Sequence, residues 1–280
     1  MFKKVADIVN AELSGQYQLS SFRKVSSQAT AAGTWTDLSM ASGNPSPNFY
    51  SWLELTSTTL DGNKGIYHWQ NVSTQKVLKE LSVQTVTANA VPITMVLCDY
   101  LLFYPQIDMD SVDPQLMIND TPLPRYETGE GVRMFLVAQY PYVWWVNFVV
   151  SYTNSEWVAG RSTGTISMNT ATFIGSFVHW TTVQNSYGWF LPLQLWDKWV
   201  RSVESITFSS AWGGLWAIVL VKPLATITIN EITAPSETNY VKDMTSIPEI
   251  KNGAFLSFIA CPNASIASAP IFWTANFVFN

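Results

Sequence analysis

After residue 14 the chain has no stretch of useful length whose apolar residues recur at helical spacing. That absence removes parallel βαβ folds, which need a crossover helix between neighbouring strands. Beyond Leu78 there are instead short β-branched and aromatic runs at 132–140, 145–153, 172–183, 200–209, 215–221, 224–229, 254–261 and 271–279. Val83, Val86, Ile93, Met95 and Leu97 alternate in part, and Leu101-Leu102-Phe103-Tyr104 reads as a strand buried on both faces. Turn signals part the runs at roughly 8–12-residue intervals, the rhythm of a sandwich or barrel. Pro223, between two runs, suits a sheet edge or corner. The expected fold is all-β, an antiparallel β-sandwich of jelly-roll-like form.

The N-terminal part differs. Val5, Ile8, Val9 and Leu13 lie near helical spacing and predict one short amphipathic helix over residues 2–13. From Ser14 to Gly65 the chain is rich in Ser, Thr, Gly and Pro, with Gly43-Asn44-Pro45-Ser46-Pro47-Asn48 at its centre, and reads as an extended arm or long loop. Residues 1–65 are thus expected to form a helix and arm, and residues 66–280 the sandwich. The sandwich has room for two packed β units parting near 140–150.

Composition narrows the function. Charged residues make up 12% of the chain, against about 25% in an ordinary domain, while hydrophobic residues make up 48%. Disorder is excluded, because it requires low hydrophobicity and high charge. A net charge of -5 argues against direct nucleic-acid binding, which concentrates Lys and Arg. A surface this poor in charge fits a protein largely covered by other protein. Asp7 and Glu12 interrupt the place of a signal-peptide core. The long uncharged stretches are broken by Gln139, Pro141 and Asn147, so no membrane-spanning segment is expected. Cys98 and Cys261 make neither a zinc site nor a disulfide framework and read as two buried thiols, with a single bridge between them as the alternative.

Little in the chain suggests catalysis. His68 and His179 are isolated imidazoles in apolar surroundings, and no nucleophile elbow, zinc-protease or phosphate-loop motif is present. An enzyme is not expected. Asp108, Asp110 and Asp113 form the densest carboxylate cluster, followed by Asn119-Asp120. Oxygen ligands at such spacing suit a structural Ca2+, although the glycine and terminal glutamate of an EF-hand loop are missing. The competing reading is a solvated turn. With positive charge scarce, Arg125, Arg133, Arg161 and Arg201 read either as surface ion pairs or as interface residues, since interfaces favour Arg and aromatics over Lys.

The run Leu123-Pro124-Arg125-Tyr126-x-x-Gly129-x-Gly131-Val132 resembles one found in a family of tailed-bacteriophage head structural proteins, the capsid decoration or minor capsid proteins. Val150-Ser151-Tyr152-Thr153-Asn154, Val158-Ala159-Gly160-Arg161, Phe190-Leu191-Pro192-Leu193, Val200-Arg201-Ser202-Val203-Glu204-Ser205 and Val219-Leu220-Val221-Lys222-Pro223 follow in the family's order. The resemblance covers roughly residues 35–275, and its specificity lies in the ordered combination rather than in any single run. It implies a virion structural protein assembled in the host cytoplasm. Such a protein would bind the major capsid protein as decoration or cement and self-associate, as a trimer. A jelly-roll major capsid subunit is the alternative within that class, and a receptor- or carbohydrate-binding fibre or tail component lies outside it.

One departure is systematic. Trp69, Trp157 and Trp199 stand where the family pattern has glycine, and Trp196, Trp216 and Trp273 look similar. The chain has 13 Trp against 14 Gly. Turns favour glycine because it tolerates positive φ. Trp157, Trp196 and Trp199 are therefore either anchors projecting into a neighbouring subunit, or glycines whose UGA codons have been rendered as tryptophan.

Overall fold

A computed structural model describes residues 2–26, 30–69, 72, 74–141, 146–168, 173–177, 189–243 and 246–280, with only the backbone of Trp273. The described residues fold into three antiparallel sheets. The first comprises β1 (Tyr17–Val25), β3 (Ser42–Asn44), β5 (Lys76–Thr85), β14 (Ser236–Asn239) and β16 (Pro270–Phe279), in the order β14-β5-β16-β1-β3. The central sheet comprises β2 (Thr36–Asp37), β6 (Ile93–Asp108), β8 (Arg133–Tyr140), β13 (Leu215–Ile229) and β15 (Phe255–Pro262), in the order β2-β15-β6-β13-β8, with β4 (Thr58–Thr59) also on β6. The third comprises β7 (Gln115–Leu116), β9 (Asn147–Asn154), β10 (Arg161–Ser162) and β12 (Val200–Phe208), in the order β10-β9-β12-β7, with β11 (Ile166–Ser167) on β9. The all-β antiparallel sandwich is as expected. Its layering uses three sheets, where a single jelly roll has two.

The reason lies in β6 and β13, which pair along nearly their whole length. Ile93, Met95 and Leu97 point into a core shared with the first sheet, including Leu78, Leu81 and Phe277. Leu102 and Tyr104 point into a second core shared with the third sheet, including Phe148, Val150 and Ile206. In the register with β13, Leu220 faces Leu102 and Val221 faces Tyr100, so Leu101 is an extra residue. This bulge shifts the alternation by one position. Both cores therefore lie on one face of the central sheet, end to end, and part at Leu97/Leu101 in β6 and Leu220/Ala225 in β13. The expected division near 140–150 is corrected accordingly: residues of β1, β5, β15 and β16 build one unit, and the middle of the chain builds the other.

The opposite face, with Val96, Cys98, Tyr100, Phe103, Phe135 and Val137, carries a third core. Met40, Tyr50 and Leu60 cover it, so the segment expected to be an extended arm is instead packed on its own chain. The cause is hydrophobic: a sheet face this apolar cannot be left in water. Its polar ends are satisfied locally. Buried Asp37 accepts hydrogen bonds from the Tyr100 hydroxyl (2.7 Å), the Ser39 amide (2.8 Å) and the Tyr50 hydroxyl. Nearby Lys24 donates to the Ala41 carbonyl (2.9 Å), and burial lowers its pKa to about 8.

The expected helix, α1, spans Val5–Leu13. Its start is capped by the Asp7 carboxylate, which accepts from the Lys3 and Lys4 amides at 2.8 and 3.2 Å. Ile8 and Ala11 pack on Val77 and Val278 of the first sheet.

Candidate interface sites

Asp99 lies in β6 between the two end-to-end cores, and its β13 partner is Lys222. Arg125, from the loop before β8, reaches this waist. Its Nε donates to Asp99 Oδ2 at 2.9 Å, and Nη2 donates to Oδ1 at 2.7 Å and to the Tyr100 carbonyl at 3.0 Å. The Phe255 amide donates to Oδ1 at 3.2 Å. Burial raises the pKa of Asp99, and the Arg125 hydrogen bonds oppose that rise. Beside the pair, Lys222 stacks its ammonium on the Tyr126 ring, 4.3 Å from the centroid, and donates to the Glu130 carbonyl. Arg125, Tyr126, Glu130 and Lys222, with Glu249 and Lys251, line a groove of about 690 Å³.

Arg161 plays the same part in the other unit. Its Nε donates to Asp197 Oδ2 at 2.8 Å, where the Tyr152 hydroxyl also donates at 2.7 Å, while Asn154 donates to Oδ1 at 2.7 Å. Burial pushes the Asp197 pKa up, but the bonds from Arg161, Tyr152 and Asn154 outweigh it and leave it lowered. Arg201 donates from Nε to the Glu127 carbonyl at 3.1 Å and lays its guanidinium on the Trp157 ring. Arg133 donates to the Lys198 carbonyl. Arg125, Arg161 and Arg201, read as surface ion pairs or interface residues, all make contacts within their own chain. Each braces a loop of its own chain: Arg125 and Arg161 reach buried carboxylates, and Arg201 reaches an exposed carbonyl.

Asp108, Asp110 and Asp113 do not converge on a common point, and among the described residues no group of three His, Cys, Asp or Glu side chains is placed to hold a metal ion. Asp108 and Asp110 cap backbone instead: Asp108 accepts from the Asp110 amide at 2.9 Å, and Asp110 from the Gly213 amide at 2.6 Å. His68 is fully buried, with Nε2 2.8 Å from the Ala254 carbonyl, and burial lowers its pKa to about 4. His179 lies outside the described residues. Cys98 is buried in the third core, Cys261 is half-buried, and both are free thiols.

The tryptophans separate by backbone. Trp69, Trp157 and Trp196 have φ of 57°, 65° and 75°, the glycine-favouring region, and all three are exposed, Trp196 by 86%. Trp199 lacks positive φ and is half-buried. Trp216 is fully buried against Phe148 and Phe208. The side chain of Trp273 lies outside the description.

Two other surfaces carry exposed apolar groups that sequence reasoning did not single out. On α1, Val5, Val9 and Leu13 recur every four residues and form an exposed stripe beside Lys3 and Lys4. At the Asp108 end of the central sheet, Phe49, Trp52, Leu53, Tyr140, Trp212 and Leu215 are exposed together. Gln139 donates to the Phe49 carbonyl and Gln106 to the Trp52 carbonyl, while Tyr140 pairs with Leu215. A hollow of about 320 Å³ in this edge is rimmed by Glu54, Asp108 and Asp110. The stripe's periodicity was legible in the sequence; the edge, drawn from four distant segments, was not.

Among the described residues no helix is long and apolar enough to cross a membrane. No family model matches the chain, and no curated protein does. Among solved structures, 94% of the chain aligns with 80% of the infectious bursal disease virus VP2 chain from a subviral particle, at 8% identity and a TM-score of 0.18. The infectious bursal disease virus Gt strain aligns over 94% and 81%, at 8% identity and a TM-score of 0.17. Scores this low assign neither fold nor function.

Proposed function

We propose that the chain is a non-enzymatic structural subunit of a virus particle, a decoration or cement protein on the head of a tailed phage. It would bind the major capsid protein and associate with copies of itself. The observation that carries this reading is a pair of exposed apolar surfaces at separate places on the body. One surface is basic at its rim (Lys3, Lys4 beside Val5, Val9 and Leu13), and the other acidic (Glu54, Asp108 and Asp110 around Trp52, Leu53 and Tyr140). Contiguous exposed apolar patches mark association sites. Two patches that differ and do not overlap make a head-to-tail contact, which closes into a ring such as a trimer or propagates into a lattice.

The sequence resemblance to head proteins points the same way. Binding that occurs only on the assembled shell would stabilise that state by mass action. Quantified gel bands from purified particles test the reading. Copies comparable in number with the major shell protein are expected, and a copy number matching a single vertex or the tail would sink the cement role.

A further inference from the structure

The left-handed tryptophans follow a pattern with a chemical cause. An L-residue in this region suffers a Cβ clash worth roughly 1–2 kcal/mol, and a bulky residue there is a genuine outlier. Where such strain is kept, burial or a specific contact normally offsets it. Trp196 is 86% exposed, so burial offsets almost nothing.

The turns themselves call for glycine. In the turn after β9, the Trp157 amide donates to the Asn154 carbonyl at 3.1 Å and the Asn154 amide to the Val158 carbonyl at 3.1 Å. This arrangement matches the three-residue hairpin loop whose last residue is left-handed and usually glycine. At Trp196, the Asp197 amide donates to the Gln194 carbonyl at 3.0 Å. Trp196 is thus the third residue of a β-turn, with the positive φ that glycine supplies in such turns. The neighbouring loop positions Gly160 and Gly164 have φ of 69° and 70° and do hold glycine. Among the described non-glycine residues with positive φ, tryptophan occurs three times, and none is Asn or Asp, the types that normally visit this region. The chain as a whole carries 13 Trp beside 14 Gly.

We infer that positions 69, 157 and 196 are glycine in the protein as its own host makes it. Each would be encoded by UGA, the codon that differs from the tryptophan codon UGG only in its third base and from the glycine codon GGA only in its first. A host that reads UGA as glycine would place the one residue these turns accommodate without strain. Trp216 is the internal contrast, because its ring fills the second core against Phe148 and Phe208 at centroid distances of 6.2 and 5.1 Å. With glycine at 157, the Arg201 guanidinium loses the ring it lies on and keeps its hydrogen bond to the Glu127 carbonyl.

The inference is independent of the virion reading and is tested on two levels. Reading the gene should give TGA at codons 69, 157 and 196 and TGG at codon 216. Peptide mass spectrometry of the protein isolated from its natural host should give glycine masses at 69, 157 and 196 and a tryptophan mass at 216. A TGG codon or a tryptophan mass at the three turn positions overturns the proposal. A glycine mass at 216 overturns the structural criterion on which it rests.

Discussion

Arg125 grips Asp99 through two parallel hydrogen bonds, 2.9 Å from Nε to Oδ2 and 2.7 Å from Nη2 to Oδ1, at the waist where the two end-to-end cores meet. The Asp99 side chain is 1% exposed and that of Arg125 14%. The pair lies at a polar gap between the two apolar cores and ties the loop before β8 to β6.

Breaking that pair from one side should be costly. Arg125→Met leaves a buried carboxylate without its partner and should lower stability by about 3–5 kcal/mol. Arg125→Lys should recover only part of the loss, since an ammonium cannot reproduce the parallel fork. Combining Arg125→Met with Asp99→Asn should be milder than Arg125→Met alone. Urea unfolding of the three variants checks the order; a loss below about 1 kcal/mol for Arg125→Met would mean that the pair behaves as a surface bridge.

His68 predicts an acid-sensitive step. Its folded pKa is about 4 against an ordinary 6.5. The unfolded chain therefore takes up this proton below pH 6.5, while the folded chain resists it until about pH 4. The stability contribution is complete above pH 6.5 and is lost as pH falls towards 4, by about 3 kcal/mol in all. His68→Gln should flatten the stability profile between pH 6.5 and 5, where carboxylates of ordinary pKa remain ionised. An unchanged slope in that window would remove His68 as its source.

The left-handed turns predict stabilising substitutions. Trp196→Gly should raise stability by about 1 kcal/mol, the relief of strain less the added freedom of the unfolded chain. Trp157→Gly and Trp69→Gly should gain less. Trp157 gives up its contact with Arg201 and Trp69 its stacking on Phe279 at 6.0 Å. Thermal melts of the single variants test the ranking, and a fall in Tm for Trp196→Gly would contradict it.

Self-association should be directional. Leu13→Glu on the α1 stripe and Leu53→Glu on the aromatic edge should each leave the fold intact, since both side chains are exposed. Each should weaken association by at least about tenfold, or about 1.4 kcal/mol. Mixed in equal amounts, the two variants should form pairs and nothing larger, because each retains the surface the other lacks. Sedimentation velocity reads this directly. A mixture that stays monomeric, or a Leu53→Glu variant that assembles normally, would rule out the head-to-tail contact.

How much of this was legible in the sequence differs from residue to residue. Asp99 is a lone carboxylate inside Val96-Leu97-Cys98-Asp99-Tyr100-Leu101, and a charge within so apolar a run signals a paired, buried group. Its partner could not be read, because Arg125 is 26 positions away in a loop. Asp197, set between two tryptophan-bearing turn segments, gave no such signal, although it gathers Arg161, Tyr152 and Asn154.

The sequence by itself determined the all-β class, through short β-branched runs and the lack of a helical period after residue 14, and it set apart the tryptophans at turns. Local texture suffices for the class, since strand alternation is a property of a few consecutive residues; the tryptophans stood out through the resemblance, whose pattern has glycine at positions 69, 157 and 199. The tertiary structure decided that the segment expected to be an arm covers a third core and that two cores share one sheet face. Those outcomes depend on the bulge at Leu101, where one extra residue reverses which side chains of β6 face which layer. A change of phase by a single position leaves almost no trace in a run as apolar as Leu101-Leu102-Phe103-Tyr104, and only the packed partners on either side reveal it.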